Sequence, residues 1–237
     1  MTFTKIRSKH GRKILHQGRF NSAKECLEDA CALGINMDGA DLSYTDLHIA
    51  NLDGLRMKGA NLKNCNLLGA NLSEADLADT DFTNATLHGA CLAYSNLKDC
   101  HFKGALFGGT HIQGVCLDQA IFSTLSACQI DFQSAKSFAN CTFIQETTQQ
   151  EIPFSLQPIH FPTTALKMIF FDQHLMIGNT IDTYQNWLNN SRKPLKNNNK
   201  TKKNYSENAL DFFGNNKDFI MLLLTQSHGI RQSEVAI

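Results

Sequence analysis

The sequence lacks any long hydrophobic run. Its longest apolar stretch, Phe219 to Leu224, is far shorter than the ~20 residues that an α-helix needs to cross a bilayer. The basic amino terminus, Met1 to Lys13, also lacks the apolar centre of a secretory signal peptide. We therefore expect a cytoplasmic protein that is neither secreted nor inserted into a membrane.

Recognisable metal, disulfide and catalytic motifs are also missing. The eight cysteines lack the paired short spacing of a zinc site and are too dilute for a disulfide-stapled miniprotein, so reduced thiols are expected. There is no phosphate-cradling glycine loop, paired-carboxylate motif or serine nucleophile elbow. The sequence thus predicts a protein that is not an enzyme, with no catalytic, metal-binding or cofactor-binding residues and no cofactor.

Charge is scarce and unevenly placed. Only 19% of residues are charged and the formal net charge is zero, while 42% are hydrophobic, enough for one substantial core. Residues 35–144 carry six Lys or Arg against eleven acids, whereas residues 1–34 carry seven against three. The middle of the chain is therefore mildly acidic and its amino-terminal end is basic.

A large apolar residue recurs at every fifth position through the middle of the chain. The position two residues earlier is usually small, as at Ala40, Cys65 and Ala75. The large positions predicted to form the core include Leu42, Leu47, Leu52, Leu62, Leu67, Leu72, Leu77, Phe82, Leu87, Leu92, Leu97, Phe102 and Phe122.

A period of five residues fits neither a β-strand nor an α-helix. In a strand, successive leucines would point to opposite faces, and in a helix each step of five rotates the side chain by about 140°. The chain must therefore turn once per repeat, so that all the leucines point to a common axis. If four repeats close one square turn, residues twenty apart stack, and Phe82, Phe102 and Phe122 form an aromatic ladder. A six-residue step near Phe138 indicates one inserted residue, after which Cys141 and Phe143 resume the small and large roles.

The pattern resembles the pentapeptide-repeat family. It is carried by Gly39-Ala40-Asp41-Leu42-Ser43, Ala60-Asn61-Leu62, Gly69-Ala70-Asn71-Leu72 and Glu74-Ala75-Asp76-Leu77. The resemblance implies a mainly β protein, a right-handed quadrilateral β-helix. It also implies a binding or scaffold role, since some members resemble duplex DNA in shape and charge and engage DNA gyrase.

Both ends of a solenoid need caps, because they expose apolar interior and unpaired backbone. We expect residues 1–34 to form a β-hairpin and a helix that close the first coil, with the repeat over residues 35–144. Residues 145–237 are expected to be an α+β extension, with a proline-rich extended connector over 152–164, strand-like residues 166–177 and a short helix around 181–188. A mobile basic loop is predicted at 191–204, and a last helix at 206–226. The cap, together with Ile177-Gly178 and Trp187, is similar to phage and prophage repeat proteins, which implies an accessory role in phage or host physiology.

Two surfaces are candidates for binding. Acidic residues in the first coils favour a protein-interaction surface, or alternatively a DNA-mimicking modulator of gyrase or topoisomerase. These residues are Asp41, Asp46, Asp53, Glu74, Asp76, Asp79 and Asp81. A basic stretch is a candidate for polyanion contact, although it has no interleaved aromatic residues and is more typical of a solvated linker. It comprises Arg192, Lys193, Lys196, Lys200, Lys202 and Lys203.

The remaining polar residues favour structural roles. The Asp or Asn before each large residue is expected to satisfy backbone groups at turns. His101 and His111 lie on opposite sides of the coil, and the outward Cys91 and Cys116 have no visible neighbouring base. An enzyme built from Asp172, His174, Tyr184 and Trp187 is the weakest hypothesis. We therefore predict a non-enzymatic module with a protein partner, no direct nucleic-acid contact, and homodimerisation through the carboxy-terminal segment as an open alternative.

Overall fold

The structure is a computed structural model that describes residues 1–11, 13–127, 129–154, 158–161, 168–178 and 180–191. The chain divides into two compact units, Met1–Ile159 and His160–Ile237. Most β structure lies in the first unit, and the predicted limits 1–34, 35–144 and 145–237 stay predictions.

The amino-terminal segment is a hairpin followed by a helix. Strands β1 (Thr2–Ser8) and β2 (Ile14–Phe20) pair antiparallel, and helix α1 spans Ala23–Ala32. Ser22 caps α1 by accepting a hydrogen bond from the backbone N–H of Glu25. The apolar face of α1 and Ile6 of β1 are buried, so helix and hairpin share one small core.

Residues 37–123 form a coil that advances twenty residues per turn. Parallel bridges join residues twenty apart, such as Asp41 with Asn61 and Asn61 with Asp81, so four repeats make one coil. Within a repeat, a turn is closed by a bond such as Cys65 N–H to the Leu62 carbonyl, at 3.2 Å. Between coils, Leu62 N–H bonds to the Asp81 carbonyl at 2.9 Å. The structure therefore contains a β-helix solenoid, with short strands β3 (Ala40–Asp41) and β4 (His101–Phe102) among its rungs.

The coil turns at one fixed position, two residues after each large apolar residue. From residue 39 to residue 119, every fifth residue has a positive φ. Glycine, asparagine and aspartate tolerate this left-handed conformation best, and they occupy most of these corners. Tyr44, Ile49 and Tyr94 are bulky exceptions, with φ of 61°, 54° and 60°.

The large residues fill the interior. All thirteen large positions given above, and Phe143, are at most 2% exposed. Phe82, Phe102 and Phe122 stack in sequence, with centroid separations of 5.1 and 5.3 Å. The small inward residues add hydrogen bonds where they carry a hydroxyl or thiol: Cys65 Sγ donates to the Leu42 carbonyl at 2.8 Å. Such bonds satisfy polar groups that would otherwise be buried without a partner.

The carboxy-terminal end of the coil departs from the repeat. Strand β5 (Ile121–Ser123) leads into helix α2 (Thr124–Ala127), and a 3₁₀ turn follows at Phe132–Ser134. Strand β6 (Cys141–Gln145) then pairs with β5 at a separation of 21, for example Phe122 with Phe143, which places one extra residue in this coil. Strand β7 (Gln150–Phe154) pairs antiparallel with β6. Residues 152–154, expected to lie in a connector, are therefore part of the sheet.

One line of paired residues runs through this unit. It begins in β2 and β1, crosses every coil at the same column and ends in β7. Its members are Ile14, Arg7, Asp41, Asn61, Asp81, His101, Ile121, Thr142 and Pro153. The parallel rungs are thus flanked at both ends by antiparallel strands.

The second unit contains a four-stranded sheet and a helix. Its strands are β8 (Ile159–Phe161), β9 (Met168–Phe171), β10 (His174–Ile177) and β11 (Thr180–Thr183), in the order β11-β10-β9-β8. Helix α3 spans Tyr184–Ser191, so residues 181–183 are strand rather than the expected helix. The loop predicted at 191–204 falls, after Ser191, outside the described residues, as does the last predicted helix. Among the helices that are described, none has the length and apolarity to span a bilayer.

Candidate interaction surface

Repeats twenty residues apart stack in four columns, each named here after one of its buried residues. The Met57 column contains Met37, Met57, Leu77, Leu97 and Leu117; the Phe82 column contains Leu42, Leu62, Phe82, Phe102 and Phe122; the Leu67 column contains Leu47, Leu67, Leu87 and Phe107; and the Leu72 column contains Leu52, Leu72, Leu92 and Ile112. Outward side chains can form one surface only if their columns are the same or adjacent.

The seven candidate acids are distributed over all four columns. Asp76 and Asp79 belong to the Met57 column, and Asp41 and Asp81 to the Phe82 column. Asp46 belongs to the Leu67 column, while the remaining two, Asp53 and Glu74, belong to the Leu72 column. The structure therefore does not gather them on one side of the coil.

Four of these acids stabilise the coil itself. Asp41 accepts hydrogen bonds from the backbone N–H of Ser43 at 3.2 Å and from Asn61 Nδ2 in the next coil at 2.9 Å. Asp46 and Asp76 accept the equivalent pairs of bonds. Asp81 accepts from the N–H of Thr83 and from Lys63 Nζ, at 3.0 and 2.9 Å. Burial acts to raise the pKa of Asp81, but the bonds from Thr83 and Lys63 together lower it below its usual value.

A polar cleft lies where the hairpin turn meets the coil. Its volume is about 260 Å³, and its polar lining is Lys9, Asn61, Lys63, Asp79, Asp81 and His101. The two lysines face two aspartates, and one pair already forms the Lys63–Asp81 salt bridge. With its charges mutually balanced, the cleft shows no preference for a ligand of either sign.

Three exposed apolar residues, which we call the docking patch, lie on two neighbouring columns: Ile49 and Leu68 on the Leu67 column, and Tyr44 at the preceding corner, on the Phe82 column. The exposed fractions of Tyr44, Ile49 and Leu68 are 79%, 67% and 47%. Ile49 and Leu68 are neighbours in adjacent coils, since Ile49 N–H bonds to the Leu68 carbonyl at 2.8 Å. A methyl group at Gly69 would lie 3.6 Å from Ile49 Cγ1, so the isoleucine lies over a glycine.

Two residues of the docking patch, Ile49 and Leu68, lie on the least charged column of the coil. In the Leu67 column, residues 45–49, 65–69, 85–89 and 105–109 include one charged side chain, Asp46. The Leu72 column carries two, and the other two columns carry four or more. Sequence reasoning missed this patch, although Tyr44 and Ile49 stand out from the glycine, asparagine and aspartate that occupy most corners.

A family model for pentapeptide repeats matches residues 56–92 and 88–123, with eight copies. Residues 56–123 of this chain therefore consist of repeats of the pentapeptide-repeat family. This assignment agrees with the five-residue period and with the twenty-residue coil described above.

Solved structures of other pentapeptide-repeat proteins are similar in part. Rfr23 from the cyanobacterium Cyanothece 51142 is 31% identical over 34% of this chain and 54% of its own, with a TM-score of 0.34. HetL, involved in heterocyst differentiation regulation in Nostoc sp. strain PCC 7120, is 26% identical over 37% of this chain and 40% of its own, with a TM-score of 0.36. A trypsin-treated form of QnrB1, a plasmid-mediated fluoroquinolone resistance protein, is 22% identical over 44% and 55%, with a TM-score of 0.23. This chain spans about half the length of the structures that it matches, and the search of curated proteins found no match.

The histidines and cysteines of this pentapeptide-repeat protein form no metal centre in the described part of the chain, where no three His, Cys, Asp or Glu converge. His101 belongs to the Phe82 column and His111 to the Leu72 column, so they do not meet. His111 instead lies one rung from Cys91, whose Sγ accepts a bond from Ser73 Oγ at 3.1 Å. This neighbour was missed because it is twenty residues away in sequence. Burial raises the pKa of the inward Cys65 to about 11 and that of Cys141 to about 12.

The polar residues proposed for an enzyme in the second unit have structural contacts. Trp187 is fully buried and its Nε1–H donates to the Leu175 carbonyl at 2.8 Å. Tyr184 N–H bonds to the Gln173 carbonyl at 3.0 Å. His174 stacks on Phe171 at 5.6 Å, and burial lowers its pKa. The basic candidates from Arg192 to Lys203 lie outside the described residues.

Proposed function

We propose that this pentapeptide-repeat protein is a non-enzymatic protein-interaction module that docks a partner through Tyr44, Ile49 and Leu68. One observation carries the proposal: Ile49 is a β-branched residue held at φ 54° with 67% of its surface exposed. A left-handed conformation costs an ordinary residue about 1–2 kcal/mol. A side chain that is two-thirds exposed gains little from burial to offset that cost.

A binding role supplies the compensation. Bulky residues in strained conformations cluster at functional sites, and interface energy is concentrated in a few apolar or aromatic anchors. Tyr44 and Ile49 occupy two successive corners, and Leu68 lies beside Ile49 in the next coil. A stable interface buries about 800 Å² per partner, so the docking patch would form its centre, with the uncharged outer residues of the Leu67 column around it.

The chemistry of this surface defines the partner. We propose a protein that presents an apolar pocket with little charge at its centre, and a cation at the rim facing Asp46. Asp46 is exposed, and its pKa is lowered chiefly by the hydrogen bond from the backbone N–H of His48. It is therefore ionised at neutral pH and able to meet such a cation.

Site-specific photo-crosslinking tests this proposal. A photoreactive phenylalanine analogue placed at residue 44 or 49 of the full chain should capture a partner protein from cells that express it. Tyr94 provides a matched control, because it is also an aromatic corner residue, 65% exposed with φ 60°, but lies in the Leu72 column. Capture of the same proteins from residues 44 and 94, or none from residues 44 and 49, would refute the assignment of this surface.

A DNA-mimicking modulator of gyrase or topoisomerase is the second candidate. Burial is the main cause of the raised pKa of the Cys100 thiol. The negative charges of three nearby aspartates raise it further: Asp79, Asp99 and Asp76. Lys58 and Lys98 interrupt this acidic column, which weakens the likeness to a continuous row of phosphates. Supercoiling by purified gyrase that stays unchanged in a large molar excess of this protein would exclude the role.

Three further features remain proposals, of which the family resemblance supports the first. They are the right-handed, four-sided form of the coil, an accessory role in phage or host physiology, and dimerisation through the carboxy-terminal segment. Sedimentation of the full chain, compared with a chain truncated after residue 191, tests the last of these.

A further inference from the structure

The hairpin that closes the first coil has an unusual composition. Residues 2–20 contain six Lys or Arg and no Asp or Glu. Five of the six, all except Arg12, are among the described residues, and all five are exposed. The coil next to it is mildly acidic, so within residues 1–144 this excess of positive charge is confined to the cap.

The strand pattern assembles part of that charge on one face. Paired residues share a face of a sheet, and Phe3 is paired with Arg19, while Lys5 is paired with Gln17. Ile6 and its partner His16 point the other way, toward α1: Ile6 is 2% exposed, and His16 Nε2 lies 2.7 Å from Asp29 Oδ2. The outer face of the hairpin, here called the basic ribbon, consists of Phe3, Lys5, Arg7, Gln17 and Arg19.

Acidic side chains near the basic ribbon have other contacts. Glu25 bonds with Asn21, and Glu28 accepts from the N–H of Asn51 at 2.9 Å. Asp41, which is paired with Arg7 across β3, accepts bonds from Ser43 and Asn61. Among the described residues, none of the three cations of this face forms a salt bridge with an acid.

Phe3 adds an aromatic surface among these cations. Its side chain is 60% exposed, and Lys5 Nζ lies 5.3 Å from the ring centroid. The contact orients the ring, since an ammonium over an aromatic face is attractive. Alternate residues of a strand advance by about 6.7 Å, so the cations form a row rather than a pocket.

We propose that the basic ribbon binds single-stranded nucleic acid, with Lys5, Arg7 and Arg19 contacting phosphates and Phe3 stacking on an unpaired base. Proteins that bind single strands combine a positive track with aromatic platforms. In a duplex the bases are stacked on one another, so none is free to stack on Phe3. A membrane contact would need more apolar surface than one ring provides. The proposal differs from the expectation of no direct nucleic-acid contact, which was based on the basic stretch at 192–203.

Fluorescence anisotropy with a labelled 20-nucleotide single-stranded DNA and the full chain tests this. The triple variant K5Q/R7Q/R19Q should lower affinity roughly tenfold or more at low salt and reduce the slope of log K against log salt by about 2, because three phosphate contacts are lost. F3A should weaken single-strand binding about fivefold or more and leave duplex binding unchanged. K5R/R7K/R19K, which keeps the charges, should bind like the wild type.

Two matched variants locate the binding. K58Q/K98Q/K136Q removes three exposed cations from the coil, and K196Q/K200Q/K202Q removes three from the basic stretch. Each should change affinity less than about threefold at 0.1 M salt, where charges beyond about 10 Å are screened. A loss equal to that of the ribbon variant in either one would overturn the proposal.

Other outcomes decide between kinds of partner. Failure of the wild-type chain to bind the single strand at low salt overturns the proposal, as does equal binding to duplex with no effect of F3A. Co-sedimentation with vesicles of phosphatidylcholine and phosphatidylserine, without single-strand binding, would identify the basic ribbon as a membrane contact instead. Thermal unfolding of each variant checks that the cap remains folded.

Discussion

Phe143 and Phe154 stack with ring centroids 4.3 Å apart and planes inclined by 11°. Phe143 is the last rung of the aromatic ladder, while Phe154 comes from the antiparallel strand β7. The closing strand therefore contributes its own ring to the interior and covers the end of the coil. Both side chains are fully buried.

Truncation of this terminal ring should destabilise the coil from its end. Phe154→Ala removes a fully buried aromatic side chain, which costs about 3–5 kcal/mol. We expect a corresponding loss in the free energy of unfolding, measured by urea denaturation of the full chain. Phe3→Ala, at a 60% exposed ring, should change it by less than about 0.5 kcal/mol. Equal effects of the two substitutions would contradict a capping role for Phe154.

A charge placed inside the coil should unfold much of it. Leu77 is fully buried, and Leu77→Lys introduces an unpaired charge that costs several kcal/mol, comparable to total stability. Leu68→Lys makes the same change at an outward position that is 47% exposed, where about 0.5 kcal/mol or less is expected. Thermal unfolding followed by circular dichroism compares them, and a normal transition for Leu77→Lys would contradict its inward position.

The strain at Ile49 should be measurable as stability gained when it is relieved. Asparagine occupies the equivalent corner position of the neighbouring column at Asn64 and Asn84, so Ile49→Asn should stabilise the chain by about 1 kcal/mol. The same variant should lose the partner captured by the docking patch. A destabilised Ile49→Asn would show that the isoleucine supports the coil, and would remove the main argument for docking.

Acid should weaken the coil partly through Asp81. Its pKa in the folded protein is lowered, so its contribution is fully present above the unfolded value of about 4 and is lost as pH falls through the folded value. The difference in melting temperature between wild type and Asp81→Asn should be constant from pH 7 to 5 and shrink below about pH 4. Asp53→Asn removes the same charge from an exposed side chain and serves as the control. A difference that persists unchanged at pH 3 would argue against this contribution.

The period of five predicts the coil because only a turn in every repeat brings Leu62, Leu77 and Leu92 inside, and all three are fully buried. The strands that close the two ends of the coil are harder to predict from the sequence. Pairing of β7 with β6 depends on contacts that no local period records, and Pro153 there favours a connector reading. A proline is tolerated in β7 because this is an edge strand.

The binding surfaces, too, could be predicted only in part from the sequence. Asp76, Asp79 and Asp81 are close in sequence and suggest one acidic surface, but a coil that turns every five residues sends neighbours to different columns. Residues that do share a surface, such as Cys91 and His111, are twenty apart. The docking patch could be found from Tyr44 and Ile49 only once the corner position and its need for a positive φ are known.

The antiparallel strands at both ends of the line from Ile14 to Pro153 give the molecule a modular length. In the backbone pairing, each interior rung joins only its neighbours twenty residues away, and the antiparallel strands join only the first and last rungs. Duplication or removal of one such block, for example residues 61–80, would change the length of the coil by about 4.8 Å and leave the strand pairing at both ends unchanged. The distance between the basic ribbon and β7 can thus be altered in steps of one coil, while the hairpin and β7 themselves stay unchanged.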